Sequence, residues 1–117
     1  MKATSTPARV ARCALIPLLA VCAAATAMAQ DDPKLKLGKE LFTKGAVPAC
    51  AVCHTLKDAG AKGAVGPVLD ELKPDAARVA KSLRDGLGQM PSYRGKLSDE
   101  QIAALAAYVS TASGGAR

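Results

Sequence analysis

The sequence predicts a small all-α domain, and three observations lead to that fold class. Several segments place apolar residues at helical spacing between recognisable helix caps and terminal glycines. No segment shows the alternation of polar and apolar residues that is typical of a half-buried strand. The chain also has one Phe, two Tyr and no Trp, which is little bulk for the core of a small domain. We therefore expect three to four helices packed around a bound group.

The first predicted helix begins at Asp32-Pro33, an N-cap followed by proline at the first helical position. It runs to about Lys44, and Gly45 is a typical residue to end it. One face of this helix carries four residues at helical spacing, namely Leu35, Gly38, Leu41 and Phe42.

The second predicted helix begins at Pro74 and ends at Gly86. Its apolar face consists of Ala77, Val79, Ala80 and Leu83. A glycine-rich turn over residues 86–89 then leads to Met90-Pro91. The segment 58–66 contains three glycines, so we expect it to be a loop.

The last predicted helix begins at Ser98, because residues 98–101 read as a capping box in which Ser98 and Gln101 bond reciprocally. Ile102, Leu105 and Val109 follow at helical spacing.

Residues 1–29 have the pattern of a secretory signal peptide. Three basic residues precede an apolar run from Cys13 to Ala25, and Ala27-Met28-Ala29 offers a cleavage site. A retained membrane anchor and a lipid-modified Cys22 are the alternatives, but the apolar run is short for a transmembrane helix. We therefore expect export to the periplasm, removal of residues 1–29 and one working domain, residues 30–117, without a membrane anchor.

Cleavage also changes the charge and the cysteine content. Three of the 16 basic residues and none of the 10 acidic ones lie in residues 1–29, so the formal charge falls from +6 to +3. A balance this modest argues against nucleic acid as a partner. Cys13 and Cys22 leave with the signal peptide, so Cys50 and Cys53 are the remaining cysteines and no disulfide scaffold is expected.

The stretch Cys50-Ala51-Val52-Cys53-His54 is a C-x-x-C-H motif, the attachment site of a c-type haem. Two thiols at this spacing can add to the two vinyl groups of one porphyrin, and the next residue then offers an imidazole to the iron. The motif occurs once, so the sequence predicts one haem c, bound covalently through Cys50 and Cys53. Zinc binding and thiol redox chemistry are alternatives, but zinc normally takes four protein ligands and dithiol exchange favours a βαβ context.

Met90 is the candidate for the second axial ligand. The chain has a single histidine, His54, and Met90 is the one methionine beyond residue 29. Two histidine ligands are therefore impossible within one chain, and a His54/Met90 pair would tend to raise the reduction potential. An isolated methionine is more often a core residue. Met90, however, lies in a glycine-rich turn rather than on an apolar helical face.

These motifs make the chain similar to the class I monohaem cytochromes c over essentially all of residues 30–117. In that family an N-terminal helix with G-x-x-x-aromatic crosses a C-terminal helix with L-x-x-aromatic, which Gly38–Phe42 and Leu105–Tyr108 match. The resemblance implies the class I cytochrome c fold. It also implies that the carbonyl of Pro67 accepts a hydrogen bond from His54.

The chain departs from this family in two places. Val68 stands where many relatives have Asn, and no Trp is present to bind a haem propionate. Tyr93, Arg94 and Gln89 are candidates for the propionate role.

The resemblance implies a periplasmic electron carrier, not an enzyme, that acts as a monomer. A periplasmic dehydrogenase would be the donor, and an oxidase or another cytochrome the acceptor. The combination of alanine-rich helices with residues 69–74 also resembles cytochromes that accept electrons from sulfite dehydrogenases. Two alternatives stay open: a haem subunit of an oxidoreductase complex, and a peroxide- or gas-binding enzyme with a displaceable Met90.

Overall fold

A computed structural model describes residues 31–116 of the chain. The predicted signal peptide therefore lies outside the described residues. Five α-helices are present in this part: α1 (Pro33–Glu40), α2 (Cys50–Cys53), α3 (Leu69–Leu72), α4 (Ala76–Asp85) and α5 (Asp99–Ser113). A π-helical turn over Leu41–Gly45 extends α1, and Lys57–Ala59 form a 3-10 turn. None of the helices between residues 31 and 116 is long and apolar enough to span a bilayer.

The predominantly helical fold agrees with the expectation, with two differences. Helices α2 and α3 are single turns that bring the number to five instead of three or four. Two short strands, β1 (Thr55–Leu56) and β2 (Ala61–Lys62), also pair antiparallel, and β2 lies within the segment 58–66 that was predicted to be a loop. Two residues per strand are too few for an alternation to be visible in the sequence.

The predicted helix ends are largely correct, since the caps are present. The Asp32 side chain accepts from the Lys34 N–H at 2.8 Å, and Ser98 and Gln101 form the capping box of α5. Helix α4 begins at Ala76 rather than Pro74, because the Asp75 carboxylate caps it by accepting from the Arg78 N–H at 2.8 Å.

Helix α1 crosses α5 at Gly38, the centre of the fold. A Cβ atom on Gly38 would overlap the carbonyl oxygen of Ala104 and the Cβ of Tyr108, so the two backbones approach as closely as only glycine permits. The Phe42 and Tyr108 rings meet edge to face with centroids 6.0 Å apart. Helix α4 also packs against α5. These three helices therefore form the frame that carries the remaining segments.

A polar contact fastens the segment after the C-x-x-C-H motif to this frame. The Tyr108 hydroxyl donates to Asp58 at 2.6 Å, and the Lys39 ammonium lies 3.1 Å from the same carboxylate. Tyr108 itself is buried. The hydrogen bond from Tyr108, assisted by Lys39, lowers the pKa of the Asp58 carboxyl.

Candidate haem-binding site

A cavity of about 460 Å³ opens between α4, α5 and the segments that contain the motif and the methionine turn. Its volume lies within the range of about 300–1,000 Å³ that is usual for small-molecule sites. Apolar side chains from every surrounding element line it, among them Phe42, Leu69, Val79, Leu83, Leu105 and Val109. A bound group that fills this apolar cavity would therefore supply the bulk that the aromatic-poor core lacks.

Both motif cysteines line this cavity from α2. The single helical turn is closed by a hydrogen bond from the His54 N–H to the carbonyl of Cys50 at 2.9 Å, and it presents the two thiols together. Burial raises the pKa of the Cys50 thiol to about 11. Cys50 therefore stays a thiol at neutral pH, unlike the low-pKa thiolates of dithiol redox sites.

His54 lines the same cavity, and its imidazole is restrained from two directions. Nδ1 donates to the carbonyl oxygen of Pro67 at 2.9 Å. Because a carbonyl only accepts, this bond places the proton on Nδ1 and leaves Nε2 with a free lone pair. Gly66 packs against the ring, since a Cβ there would lie 2.5 Å from Cε1 and 2.8 Å from Nδ1.

The loop that carries Gly66 and Pro67 is bonded directly to the motif. The Gly66 N–H donates to the carbonyl of Cys53 at 2.7 Å, and the Gly63 N–H donates to that of His54 at 3.2 Å. Motif and loop therefore form one hydrogen-bonded unit, which sets the orientation of His54.

Met90 reaches the cavity from a tight turn at the end of α4. Leu87 and Met90 exchange two backbone hydrogen bonds, of 3.0 and 2.9 Å. The residues that follow are tied down through Tyr93, whose N–H donates to the carbonyl of Leu83 at 2.7 Å. Its buried hydroxyl donates to the carbonyl of Pro48 at 2.6 Å, and burial raises the pKa of Tyr93 to about 12. Tyr93 thus connects the methionine turn to the residues that precede the motif.

The structure brings all the predicted site residues together. Cys50, Cys53, His54, Pro67 and Met90 all line the one cavity, although they come from three separate segments. Within residues 31–116, no group of three or more His, Cys, Asp and Glu side chains is placed to hold a metal ion without a cofactor. Two thiols, an oriented imidazole and a thioether around an apolar space are instead the set that fits a covalently held haem.

The three propionate candidates lie in different surroundings. Gln89 and Tyr93 both line the cavity, but the Tyr93 hydroxyl already donates to the carbonyl of Pro48. Arg94 is not among the lining residues, and its guanidinium is paired with Asp85 at 3.0 Å. Sequence reasoning treated Gly66 as a loop residue without a contact to the His54 ring, and it missed the lining residues Arg78 and Ser82. Their signal was the spacing of Arg78 and Ser82, one turn apart beside Val79 and Leu83 on α4.

Comparison with known proteins finds c-type cytochromes. The family described as cytochrome c oxidase, cbb3-type, subunit III matches residues 33–109. Cytochrome c-551 of Halorhodospira halochloris is 32% identical over 73 residues, which are 62% of this chain and 92% of the relative. Cytochrome c6 of Bryopsis maxima is 31% identical over 85 residues, 64% of this chain and 88% of the relative.

A solved structure is similar over most of its length. The crystal structure of the c-type cytochrome SorU from Sinorhizobium meliloti is 55% identical, and the match covers 72% of this chain and 95% of that protein with a TM-score of 0.67. Fold, cavity and relatives agree, so the chain belongs to this family of class I c-type cytochromes: it carries one haem c bonded through Cys50 and Cys53, and it is an electron carrier that works with redox partners, not an enzyme.

Proposed function

We propose that this protein is a periplasmic one-electron carrier whose haem is ligated by His54 and Met90. The observation that carries the proposal is that an oriented imidazole and a thioether line the same cavity as the attachment thiols. A bound haem supplies a ferric/ferrous couple. The residues of the chain hold it: Pro67 keeps the proton on Nδ1 so that Nε2 is available, and the Leu87–Met90 turn presents the soft sulfur that favours the ferrous state.

With His54 and Met90 both bound to a haem iron, no open site would remain there for a substrate. Since the two ligand-bearing segments are fixed by hydrogen bonds of their own, we expect little rearrangement between oxidation states. That property suits electron transfer between proteins.

We further propose that partners dock on the apolar surface around the motif and the mouth of the cavity. Val47 and Val52, next to and within the motif, are 77% and 65% exposed, and the cavity-lining Val65 and Leu87 are 68% and 69% exposed. Ala51 and Pro91 are partly exposed in the same segments. Three exposed lysines lie close in sequence to these segments, namely Lys44, Lys57 and Lys62. We assign them to the steering of an acidic partner.

A periplasmic dehydrogenase is the proposed donor, with sulfite dehydrogenase as the first to test. The segment 69–74 that resembles sulfite-linked cytochromes includes α3, and Leu69, Leu72 and Pro74 all line the cavity. A sequence difference in this segment would therefore change the cavity wall beside the proposed docking surface. An oxidase or another cytochrome is the proposed acceptor. Rapid reduction of the purified protein by sulfite dehydrogenase and sulfite, but not by sulfite alone, is the expected result.

A second candidate is a fixed haem subunit of an oxidoreductase complex, which the description of the matching family favours. Size-exclusion chromatography of a native extract separates the two. A carrier elutes at the mass of a monomer, whereas a subunit elutes with its enzyme.

Export is proposed from the signal pattern of residues 1–29. Mass spectrometry of the mature holoprotein should give a polypeptide that begins at Gln30 and carries one haem. A product that retains residues 1–29 would contradict export with cleavage.

Replacing Met90 by Ala tests the proposed ligand pair. The haem should stay attached through the cysteines, the reduction potential should fall by on the order of 0.1 V, and the reduced protein should bind carbon monoxide. Leu87→Ala, at the other end of the same turn, is the control and should do none of these. An unchanged spectrum and potential in Met90→Ala would mean that another group binds the iron.

A further inference from the structure

The cavity lining contains one permanently charged side chain. Among the lining residues, all of them within the described part of the chain, Arg78 is the single Arg, Lys, Asp or Glu. It lies on the first turn of α4, and Ser82 lines the cavity one turn later. Val79 and Leu83 continue the same wall with apolar surface. An exposed guanidinium at the edge of an apolar cavity can bind an anionic group of a molecule that fills the cavity.

Arg78 has no anionic partner within residues 31–116. The neighbouring arginines differ: Arg84 lies 3.4 Å from Asp99, and Arg94 lies 3.0 Å from Asp85. No ion pair of the Arg78 guanidinium is present in the described part of the chain. Its backbone N–H is used by the Asp75 cap, so only the side chain is available to a ligand. The exposed guanidinium is therefore uncommitted at the edge of the haem cavity.

The group that fills the cavity brings the missing anions. A haem carries two propionates, on the two pyrrole rings that bear no vinyl group. The vinyl-bearing rings are tethered to Cys50 and Cys53 on α2, so the carboxylates belong to a different part of the cavity wall. Helix α4, which carries Arg78, is a different part of the wall from α2. The planar guanidinium of an arginine can donate two parallel hydrogen bonds to one carboxylate, which no other side chain does as well.

We propose that Arg78 binds a haem propionate, with the Ser82 hydroxyl as a second donor on the same helical face. This rests on the haem assignment, but not on the identity of the electron donor or acceptor. Arg78 takes the role for which Arg94 was a candidate, because Arg94 is already paired with Asp85 and lies outside the lining.

The charge of Arg78 then affects the iron. A propionate without its cation is a nearby uncompensated negative charge, which stabilises ferric over ferrous iron. Loss of the guanidinium charge should therefore lower the reduction potential. A lysine keeps the charge but not the fork, so it should keep most of the potential while altering the hydrogen bonding of the propionate.

The test compares the holoproteins of Arg78→Gln, Arg78→Lys and Arg84→Gln. Arg84→Gln is the matched control, since it removes the same charge from the same helix outside the cavity lining. Two measurements are made on each: the midpoint potential at one pH, and the resonance Raman bending band of the propionates, which reports their hydrogen bonding directly.

We expect Arg78→Gln to lower the potential and shift the bending band, Arg78→Lys to shift the band with a smaller loss of potential, and Arg84→Gln to leave the band unchanged. Equal bands and potentials in Arg78→Gln and Arg84→Gln would overturn the proposal. If Arg78→Gln fails to mature, the band of Arg78→Lys decides alone: an unshifted band then overturns it. Covalent haem, verified by mass, separates this outcome from a failure of the haem assignment.

Discussion

The two proposed iron ligands are each held by a residue that never touches the iron. The carbonyl of Pro67 accepts a hydrogen bond from His54 Nδ1 at 2.9 Å. Tyr93, three residues beyond Met90, donates its hydroxyl to the carbonyl of Pro48 at 2.6 Å. Both bonds are made within the polypeptide alone. At the scale of single residues, the site is therefore preorganised on the imidazole side and on the thioether side.

The Tyr93 hydroxyl offers a direct test of this restraint. Tyr93→Phe leaves the Pro48 carbonyl without its partner, so we expect a loss of about 1–3 kcal/mol in the free energy of unfolding. The methionine turn should also become looser, so external imidazole should bind the oxidised iron more tightly. Thermal unfolding and an optical imidazole titration measure the two effects.

Tyr108→Phe is the matched control for this variant. It removes the other buried tyrosine hydroxyl, which bonds to Asp58 rather than to the methionine turn. It should lower stability but leave imidazole binding unchanged. Equal imidazole affinities in the two variants would show that Tyr93 has a structural role only.

At the scale of elements, the crossing of α1 and α5 positions the rest. A Cβ on Gly38 would overlap backbone and Cβ atoms of α5, which cannot move aside as a flexible side chain can. Gly38→Ala should therefore lower the free energy of unfolding by about 3 kcal/mol, the upper end for overpacking and more than the about 1 kcal/mol that alanine adds in helix propensity. Urea unfolding of the holoprotein measures it.

Gly45→Ala is the control for this crossing. Its nearest contact would be the Leu41 Cδ2 atom at 3.0 Å, which is the end of a flexible side chain. We expect a change below about 1 kcal/mol. A Gly38→Ala protein as stable as Gly45→Ala would contradict the close backbone approach.

A second element-scale prediction concerns acid stability. The hydrogen bond from Tyr108, helped by Lys39, lowers the folded pKa of Asp58 below its usual value of 3.8. The contact therefore stabilises the fold above pH 3.8, and this contribution is lost as the pH falls through the folded pKa. Asp58→Asn should be less stable than the native protein at neutral pH, by only about 1 kcal/mol because the carboxylate is half exposed. Thermal midpoints of the two proteins should converge towards low pH, and a constant difference would contradict the prediction.

The sequence predicted what depends on near neighbours. The Asp32 and Ser98 caps and the C-x-x-C-H motif are readable within a few residues, whereas the Gly38 crossing was implied by the family resemblance. The short β1–β2 ladder was not predicted, because its pairing depends on the turn between the strands. Helix α4 was placed two residues early, since the Asp75 cap competes with Pro74 as the start. The availability of Arg78 is a tertiary property: it follows from the pairing of Arg84 and Arg94 with carboxylates elsewhere in the fold.

The whole molecule has a modest formal charge, which falls to +3 in the expected mature chain. Two haem propionates would offset most of this. Any electrostatic steering of a partner must then come from the local arrangement of surface charges. Solvent-exposed charges act over a Debye length of only about 8 Å at physiological ionic strength. The exposed apolar residues Val47, Val52, Val65 and Leu87 supply contact area, whereas Lys44, Lys57 and Lys62 supply orientation.

The salt dependence of electron transfer tests this division at the molecular scale. The second-order rate of reduction by an acidic donor should fall as ionic strength rises, because salt screens the lysines. Reversing one charge, as in Lys57→Glu, should lower the rate at low salt several-fold and flatten the salt dependence. Lys34→Glu makes the same charge change in the first turn of α1, away from the segments around the cavity, and should retain the native slope. If the rate is indifferent to ionic strength, or if both variants lose the same fraction of it, orientation comes from the apolar contact alone and the lysines serve only to solvate the surface.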